Sequence, residues 1–368
     1  MSPVPKLFSG FAVEKPEKWQ EPKLVQYEPR ELWPTDITIK VIACGVCGSD
    51  CHQVSGNWGP FNRENLIVGH EIIGEVIEVG SEVTKHKIGD IVGIGAQSDS
   101  CGECERCKSG NEQYCQNGSV LTYNSVHPKA DGYVTQGGYA SHIRVNAHFA
   151  VAVPKKLSIH NAAPLLCGGL TAYSPIVRYA GHDLTGKTIG IIGVGGIGAM
   201  ALQIANALGA KDVYAFSRSS AKKEDSFKLG ATKFIATGEE SNWSESHKDT
   251  FDLILHCANT GKGANFNPFL DTLKLTGTFV TISAPPVDEV ISFSPWSLLF
   301  SGAKVAGSII GSMKEAEELL ELYADKGLTV WIEKIPVSEE GVKEVLTRAH
   351  KGDVKYRFVL TDFDKVFT

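Results

Sequence analysis

Residues 188–210 constrain the fold more than any other stretch of the chain. They join a β-branched apolar run to a glycine-rich turn and then to an alanine-rich segment. The stretch carries no charge and is long enough to span a bilayer. Its six glycines, together with Gln203 and Asn206, favour instead a buried strand, a turn and a helix. We therefore predict an α/β domain here, with a membrane span as the alternative.

The turn reads Gly193-Val-Gly-Gly-Ile-Gly198 and is followed, after the helical segment, by a second strand pattern at residues 212–216. The pattern Gly-x-Gly-x-x-Gly is weak alone, but between a strand and a helix it is typical of a dinucleotide site. The glycines let the backbone approach a pyrophosphate, and the helix N-terminus supplies N–H donors. Alternating strand and helix patterns continue to about residue 308, which indicates one α/β domain.

The end of the second strand distinguishes NAD from NADP. An NAD site places a carboxylate there to bind the ribose 2′-hydroxyl. This chain instead has Ser217-Arg218-Ser219-Ser220 followed by Lys222 and Lys223. A guanidinium and an ammonium attract a 2′-phosphate, which a carboxylate would repel. The pattern predicts NADP(H); a solvated basic turn is the alternative.

Four cysteines, Cys101, Cys104, Cys107 and Cys115, lie in one short segment. Four thiolates so close together suit tetrahedral structural zinc, in a lobe at about 98–118. A redox dithiol and an iron–sulfur cluster are the alternatives. A redox pair does not need four cysteines, and no proline follows the last one as in bacterial ferredoxins. The segment predicts structural zinc.

A second set of metal-ligating types is dispersed. Cys47 opens the run Cys47-Gly-Ser-Asp-Cys-His52, His70 lies in Gly-His-Glu, and Cys167 stands alone in an apolar run. Two cysteines and a histidine are a ligand set of catalytic zinc, which leaves a fourth position open. A lone histidine is more often structural, and a lone buried cysteine is usually inert. His70 and Cys167 are taken as ligands because the three residues form a set.

The flanking sequence indicates a mainly β-structured first domain. Ile37, Ile39 and Val41 alternate with polar residues, which predicts a half-buried strand. Short strand patterns over 67–95, separated by turns, suggest a small, partly closed β-barrel. The loop after His52 carries Trp58 and Phe61. They form either a local core or a wall of the substrate pocket.

Composition limits the class of protein. At 368 residues the chain is expected to form two or more domains. A net charge of −6 gives no basic surface for nucleic acid or anionic lipid. The N-terminus has no apolar signal-peptide core. The nine cysteines then favour metal ligation in a reducing, cytoplasmic compartment.

Several of these motifs together resemble the zinc-dependent medium-chain alcohol dehydrogenases, and within them the NADP-dependent cinnamyl alcohol dehydrogenase branch. The motifs are Gly69-His70-Glu71, the four-cysteine lobe, and residues 131–139, 166–175, 193–198, 217–218 and 352–358. The resemblance implies a GroES-like β-barrel catalytic domain at 1–163 and 309–368. It also implies a Rossmann domain with a doubly wound parallel sheet at 164–308, and a homodimer formed through the Rossmann sheets.

The resemblance also implies roles for single residues. Cys47, His70 and Cys167 would bind the catalytic zinc, Glu71 would be a transient ligand, and Asp50 would orient His70. Ser49 and His52 would relay protons. The implied cofactor contacts are Thr171, Gly193, Gly195, Gly196, Ile197, Gly198, Ser217, Arg218, Ser219 and Lys222. Cys51 stands where the family usually has an apolar residue, and it is either a spectator or a site of oxidative inactivation.

The expected reaction is reversible reduction of aromatic, cinnamaldehyde-like or medium-chain aldehydes to primary alcohols, with hydride from NADPH. One alternative is an NAD-dependent polyol or secondary alcohol dehydrogenase, against which Ser217 and Arg218 count. Another is a non-catalytic zinc-binding homologue, against which the complete ligand and relay sets count. The expected partners are small molecules and a second copy of the chain, with no nucleic acid or membrane.

Overall fold

The computed structural model describes residues 4–259, 263–286 and 289–367. The chain forms two compact units, Met1–Cys167 with Ser312–Thr368, and Gly168–Gly311. The boundaries expected from the sequence, 163/164 and 308/309, lie a few residues before these. Residues 1–3, 260–262, 287–288 and 368, which the expected ranges include, lie outside the described residues.

The strands among the described residues are, in chain order, β1 (Phe8–Ala12), β2 (Lys23–Tyr27), β3 (Asp36–Val46), β4 (Glu71–Val79), β5 (Ile91–Ile94), β6 (Gln97–Asp99), β7 (Val120–Leu121), β8 (His142–Asn146), β9 (Ala150–Ala152), β10 (Thr188–Ile192), β11 (Asp212–Ser217), β12 (Lys233–Ala236), β13 (Phe251–His256), β14 (Leu273–Thr281), β15 (Lys304–Gly307), β16 (Ile332–Pro336) and β17 (Arg357–Thr361). The α-helices are α1 (Gly48–Val54), α2 (Glu105–Lys108), α3 (Ile159–Pro164), α4 (Leu170–Ala180), α5 (Gly196–Ala207), α6 (Lys223–Lys228), α7 (Trp243–Ser246), α8 (Asn267–Leu270), α9 (Pro295–Ser301), α10 (Met313–Lys326), α11 (Glu339–His350) and α12 (Phe363–Val366).

The first unit is built on one sheet with the strand order β16-β17-β3-β4-β5-β9, and β8 also pairs with β3. Strand β3 runs antiparallel to β4, with Gly45 opposite Glu71. Strand β17 runs antiparallel to the end of β3, with Phe358 opposite Val46. The last residues of β3 and the first residues of β4 and β17 therefore meet at one end of the sheet, which is where the chain places its candidate metal ligands.

The prediction of a half-buried strand at Ile37–Val41 is correct for the strand and for the half-buried Lys40, but the polar Thr38 is buried. Asp36 and Thr38 are buried as fully as Ile37 and Ile39. Strand β3 is paired along both edges, and the Thr38 hydroxyl donates to Glu78 at 2.8 Å. A polar residue in a strand is buried without loss when a neighbouring strand supplies its partner.

The second unit contains a six-stranded parallel sheet in the order β12-β11-β10-β13-β14-β15. Strand β10 and helix α5 occupy the stretch 188–210, which confirms the prediction of strand, turn and helix. Among the described residues, no helix is both long enough and apolar enough to cross a bilayer. The strand order reverses direction at β10, the position where open α/β sheets bind ligands.

Candidate active site and metal centres

The structure brings the dispersed ligand candidates together in the first unit. Cys47 directly follows β3, His70 and Glu71 lie at the start of β4, and Cys167 lies in a π-helical turn, Leu165–Gly169, between α3 and α4. One ligand atom of each of these four residues lies within 4.8 Å of the others. The Sγ atoms of Cys47 and Cys167 are 3.8 Å apart. Such π-helical turns recur at functional sites, because they redirect a side chain out of the helical repeat.

The donor atoms of this cluster fit a zinc ion. All four residues are buried, and Nε2 of His70 has no hydrogen-bond partner in the described structure. A buried polar atom without a partner is rare in a folded protein unless a metal, a ligand or a water completes it. Two thiols and an imidazole are a donor set of catalytic zinc. The orphaned nitrogen of His70 therefore indicates a metal at this point.

The neighbouring groups favour the thiolate form of Cys47. Hydrogen bonding from Cys167 lowers the pKa of Cys47 well below its ordinary value and outweighs the opposing effect of burial. Burial alone would lower the pKa of His70, but the nearby Asp50 and Cys47 outweigh it and raise that pKa to about 9. Thiolate is the form of cysteine that binds metal.

Asp50 organises the segments that carry the ligands. Its Oδ2 accepts from the backbone N–H of Cys47 at 2.9 Å and from the hydroxyl of Tyr139 at 3.0 Å. Its Oδ1 accepts from the backbone N–H of Gly69 at 3.1 Å. Asp50 therefore ties the residue before His70 to the N-terminus of α1. Its expected role in orienting the imidazole itself stays a prediction.

Two tyrosines and one arginine of this site were missed by the sequence analysis. The ring of Tyr123 stacks on His70, with centroids 5.3 Å apart and planes inclined by 2°. Tyr139 contacts Asp50, as described above. Arg357, at the start of β17, donates a buried hydrogen bond to Oε1 of Glu71. Tyr139 and Arg357 lie in two of the motifs that carry the family resemblance, 131–139 and 352–358, but these motifs assign them no role.

The Glu71–Arg357 pair sets the charge state beside the ligands. Burial raises the pKa of Glu71 to about 7, against the lowering effect of Arg357. Both side chains are almost fully buried. Removing one partner of such a pair leaves an uncompensated charge and costs about 3–5 kcal/mol. Glu71 is thus held by an arginine, and its expected role as a transient ligand stays a prediction.

The candidate relay residues lie on α1. The Sγ of Cys47 is 3.5 Å from Oγ of Ser49, so Ser49 borders the metal cluster. His52 follows one turn later and is half-buried, and burial lowers its pKa below the ordinary value. The Nδ2 of Asn57 lies 3.2 Å from Nδ1 of His52. The indole of Trp58 stacks on the same ring at 5.1 Å and 13°.

The aromatic residues and the extra cysteine of this region have distinct environments. Phe61 packs against the apolar core of the first unit, which supports the local-core interpretation. Trp58 contacts His52, and its role as a pocket wall stays a prediction. Cys51 is buried, its Sγ lies 3.6 Å from the carbonyl oxygen of Leu346 on α11, and burial raises its pKa. A buried thiol with a raised pKa is unreactive, which favours a spectator over a site of oxidation.

The four-cysteine segment forms a second cluster. Ligand atoms of Cys101, Cys104, Cys107 and Cys115 lie within 4.8 Å of one another. The backbone N–H of Cys107 donates to Sγ of Cys104 at 3.5 Å, and such backbone donors lower the pKa of Cys104 to about 6. All nine cysteines are free thiols in the structure. Four converging sulfur donors without a disulfide fit a closed, structural zinc site.

Three glycines of the fingerprint in the second unit, Gly193, Gly195 and Gly198, have distinct tasks. Gly193 has φ +90°, and a Cβ on Gly198 would lie 1.9 Å from the carbonyl oxygen of Gly193. These two glycines permit the tight turn and the close approach of α5 to it. Gly195 has no atom within 4 Å of the position that its Cβ would occupy. The backbone at Gly195 is thus open to a pyrophosphate group at the start of a twelve-residue helix.

The basic residues after β11 lie next to this fingerprint. The Nζ of Lys222 donates to the carbonyl oxygen of Val194 at 2.6 Å. Arg218 and Ser219 are exposed directly after the end of β11. Glu239, which was not anticipated, accepts from the backbone N–H of Ser220 at 3.1 Å. Thr171 is half-buried on α4, and its contact with a cofactor stays a prediction.

Comparison with known proteins gives concordant matches over both units. Residues 33–155 match the family model of the alcohol dehydrogenase GroES-like domain, and residues 196–325 match that of the zinc-binding dehydrogenases. The chain is 46% identical over 365 residues to the NADP-dependent alcohol dehydrogenase 6 of Saccharomyces cerevisiae, covering 99% of each chain. Among solved structures, it is similar to a cinnamyl alcohol dehydrogenase of Sorghum bicolor with a TM-score of 0.88 and 34% identity, covering 97% of this chain and 98% of that one. It is also similar to a Helicobacter pylori cinnamyl alcohol dehydrogenase complexed with NADP(H), with a TM-score of 0.86 and 30% identity, covering 96% and 98%.

Proposed function

The chain belongs to the zinc-dependent medium-chain alcohol dehydrogenases, and we propose that it reduces aromatic, cinnamaldehyde-like and medium-chain aldehydes to primary alcohols. It is an NADP-dependent alcohol dehydrogenase of the cinnamyl alcohol dehydrogenase type, with a catalytic and a structural zinc ion. The observation that carries the proposal is the convergence of Cys47, His70 and Cys167, with Nε2 of His70 orphaned among the donors.

The substrate class is tested by initial rates. We expect kcat/KM with NADPH to be highest for cinnamaldehyde, lower for hexanal and lowest for a ketose. A ketose turned over faster than both aldehydes would favour the polyol dehydrogenase alternative. No turnover of any of them would reject the proposed substrate class and leave the zinc sites in place.

The protein groups of the reaction divide into three sets. Cys47, His70 and Cys167 hold the catalytic zinc, which when bound supplies a Lewis acid for the carbonyl oxygen. Cys101, Cys104, Cys107 and Cys115 hold the structural zinc. The cofactor, which supplies the hydride, is bound by Thr171, Gly193, Gly195, Gly196, Ile197, Gly198, Ser217, Arg218, Ser219 and Lys222.

Ser49 and His52 move the proton. The hydroxyl of Ser49 borders the cluster through Cys47, and it both accepts and donates a proton. His52 is half-buried and its pKa lies below the ordinary value, so the imidazole is neutral at pH 7 and accepts a proton during alcohol oxidation. Oxidation should therefore slow as the pH falls through the pKa of His52, which lies below the usual 6.5.

Replacing Ser49 with alanine should lower turnover by about 10²-fold, because it removes the hydroxyl that passes the proton. Ser49→Thr keeps the hydroxyl and should retain most of the turnover. The measurement is kcat for cinnamaldehyde reduction and cinnamyl alcohol oxidation. An alanine variant with the turnover of the parent would exclude the relay.

Replacing Cys104 with serine should remove the structural zinc, because it removes one of four converging donors. A structural zinc site contributes directly to folding. We expect the zinc content to fall by one ion per chain and the melting temperature to fall by at least about 5 °C. Metal analysis and calorimetry measure both. Ser109→Ala, in the same lobe and outside the ligand set, is the control; full zinc content in Cys104→Ser would contradict the assignment.

A homodimer is supported by the edge of the parallel sheet. Strand β15 is an edge strand of that sheet in the described residues, and Trp296, Leu299 and Phe300 on the preceding helix α9 are 67%, 71% and 84% exposed. An unpaired edge beside an apolar patch is a surface that a second copy covers. A cytoplasmic location is supported by the nine cysteines, none of which forms a disulfide in the structure.

Replacing Phe300 with aspartate should dissociate the dimer into 39.7 kDa chains, because it buries a charge in the proposed interface. Sedimentation velocity measures the mass. Phe227→Asp is the control, since Phe227 is a 43% exposed phenylalanine on α6, at a different place in the same unit. A parent protein that sediments as a monomer would reject the dimer.

A further inference from the structure

We propose that Tyr123 and Tyr139 are positioning residues of the catalytic metal centre. Tyr123 fixes the plane of the His70 imidazole, and Tyr139 fixes Asp50 together with the segment that leads into His70. The inference rests on the proposed catalytic zinc site. It deepens that function by assigning two residues that act through others.

Residues 137–139 run beside residues 67–69, the segment that precedes the ligand histidine. All three backbone N–H groups of the first segment donate to carbonyl oxygens of the second, at 2.8 to 3.0 Å. The side chain of Gln136 continues this pairing, because its Oε1 accepts from the backbone N–H of Ile67 at 2.7 Å. The position of Tyr139 is therefore fixed relative to the segment that carries the ligand.

The side chain of Tyr139 contacts this region at two points. Its hydroxyl donates to Oδ2 of Asp50 at 3.0 Å, and its ring lies so close to Gly69 that a Cβ there would be 2.5 Å from Cδ1 of the ring. Asp50 also accepts from the backbone N–H groups of Cys47 and Gly69. Donors from three segments of the chain thus hold this buried carboxylate in one orientation. Removing the tyrosine hydroxyl leaves Oδ2 with one donor fewer, which is costly in a buried site.

Tyr123 lies on one face of the His70 ring. The ring centroids are 5.3 Å apart, the planes are inclined by 2°, and both side chains are buried. The loop is anchored on either side of the tyrosine, because the backbone N–H groups of Thr122 and Asn124 each donate to a carbonyl oxygen of another segment at 3.0 Å. The stacked ring is therefore held in place by its own loop.

The plane of the imidazole decides where its metal-binding atom points, because the lone pair of an imidazole nitrogen lies in the ring plane. Nε2 of His70 has no hydrogen-bond partner in the described structure, and the ligand atoms of Cys47 and Cys167 lie within 4.8 Å of the histidine's. A stacked neighbour restricts rotation of the ring away from these sulfur atoms. Partners that orient metal ligands are typically worth about 10- to 100-fold in metal affinity or activity.

Tyr139→Phe tests the hydroxyl, because phenylalanine keeps the ring against Gly69. We expect the affinity for the catalytic zinc to fall about 10-fold, measured as zinc per chain after dialysis of the holoenzyme against graded concentrations of a chelator. Tyr27→Phe is the control, since the buried Tyr27 hydroxyl donates to the carbonyl oxygen of His142 at 3.3 Å in the same unit. It should keep the zinc affinity of the parent. Parent affinity in Tyr139→Phe, or an equal loss in Tyr27→Phe, overturns the role of Tyr139.

Tyr123 is tested by a pair of variants. Tyr123→Phe keeps the stacked ring and should keep the parent zinc affinity. Tyr123→Met fills the space without a flat face and should lower that affinity about 10-fold. An equal loss of affinity in both variants overturns the stacking role.

The second readout is the visible spectrum of enzyme in which Co²⁺ replaces zinc, corrected for the signal that Cys47→Ala retains at the four-cysteine site. Tyr123→Met should change the corrected spectrum, because a tilt of His70 changes the ligand geometry. A lower melting temperature with parent affinity and parent spectrum would show a packing role, and the positioning role of Tyr123 would be overturned.

Cys47→Ala separates failure of this inference from failure of the proposed zinc site. Loss of one zinc ion in Cys47→Ala, with parent affinity and spectra in Tyr139→Phe and Tyr123→Met, overturns the positioning roles and leaves the site. Two retained zinc ions in Cys47→Ala overturn the site, and the inference with it.

Discussion

Replacing Cys47 with alanine removes the catalytic zinc and lowers kcat/KM for aldehyde reduction by at least about 10³-fold. Cys47 supplies one of three protein donors, and its thiolate is favoured by the hydrogen bond from Cys167. Without that ligand the site loses the charge that stabilises the developing alkoxide, which is worth about 4 kcal/mol or more. Metal analysis should find one zinc per chain instead of two.

Cys51→Ala is the matched control for this experiment. Cys51 lies four residues further along the same segment, is equally buried and contacts Leu346 instead of the ligand cluster. We expect it to keep both zinc ions and the parent activity. If Cys47→Ala also keeps two zinc ions and full activity, the metal is held elsewhere and the assignment of Cys47, His70 and Cys167 is wrong.

The features that the sequence predicted are those whose chemistry is local. The four cysteines of the lobe are separated by only a few residues, so the chain between them limits where they can lie, and the ligand type then predicts the metal. The fingerprint at 193–198 lies between a strand and a helix that the apolar pattern identifies. Cys47, His70 and Cys167 are an exception, because they lie far apart in the sequence. None of them indicates a metal site alone, and they were predicted as ligands only because together they form a known ligand set of catalytic zinc.

The features that the sequence missed depend on strand pairing. Arg357 and Glu71 are separated by 286 residues and meet because β17 and β4 both flank β3. Tyr123 and Tyr139 reach His70 and Asp50 from loops whose path no periodicity reveals. The burial of β3 likewise depends on neighbours on both edges. Pairing order is a property of the whole sheet, so a pattern read along one strand cannot supply it.

Replacing Arg218 with alanine should lower kcat/KM with NADPH by about 10²-fold and change kcat/KM with NADH little. Arg218 is exposed directly after β11, where a dinucleotide site meets the ribose 2′ position. A charged hydrogen bond to a phosphate is worth about 1.5–3 kcal/mol, which corresponds to roughly 10- to 10²-fold in affinity. NADH lacks the 2′-phosphate and so loses nothing with the guanidinium.

Initial rates of cinnamaldehyde reduction with the two cofactors at equal concentration measure this preference. Lys228→Ala is the control. Lys228 is an exposed cation in the same unit, but it lies at the far end of helix α6, away in sequence from Arg218. We expect Lys228→Ala to keep the parent ratio of kcat/KM with NADPH to kcat/KM with NADH. If the loss of any positive charge caused the effect, Lys228→Ala and Arg218→Ala would lower this ratio alike. Ser217→Asp should lower the preference for NADPH over NADH more than Arg218→Ala does. A carboxylate at the end of β11 repels the 2′-phosphate of NADPH and accepts a hydrogen bond from the ribose hydroxyl of NADH. Equal NADPH preference in the parent and in Arg218→Ala would assign 2′-phosphate recognition to another group, with Lys222 beside Val194 the first to test.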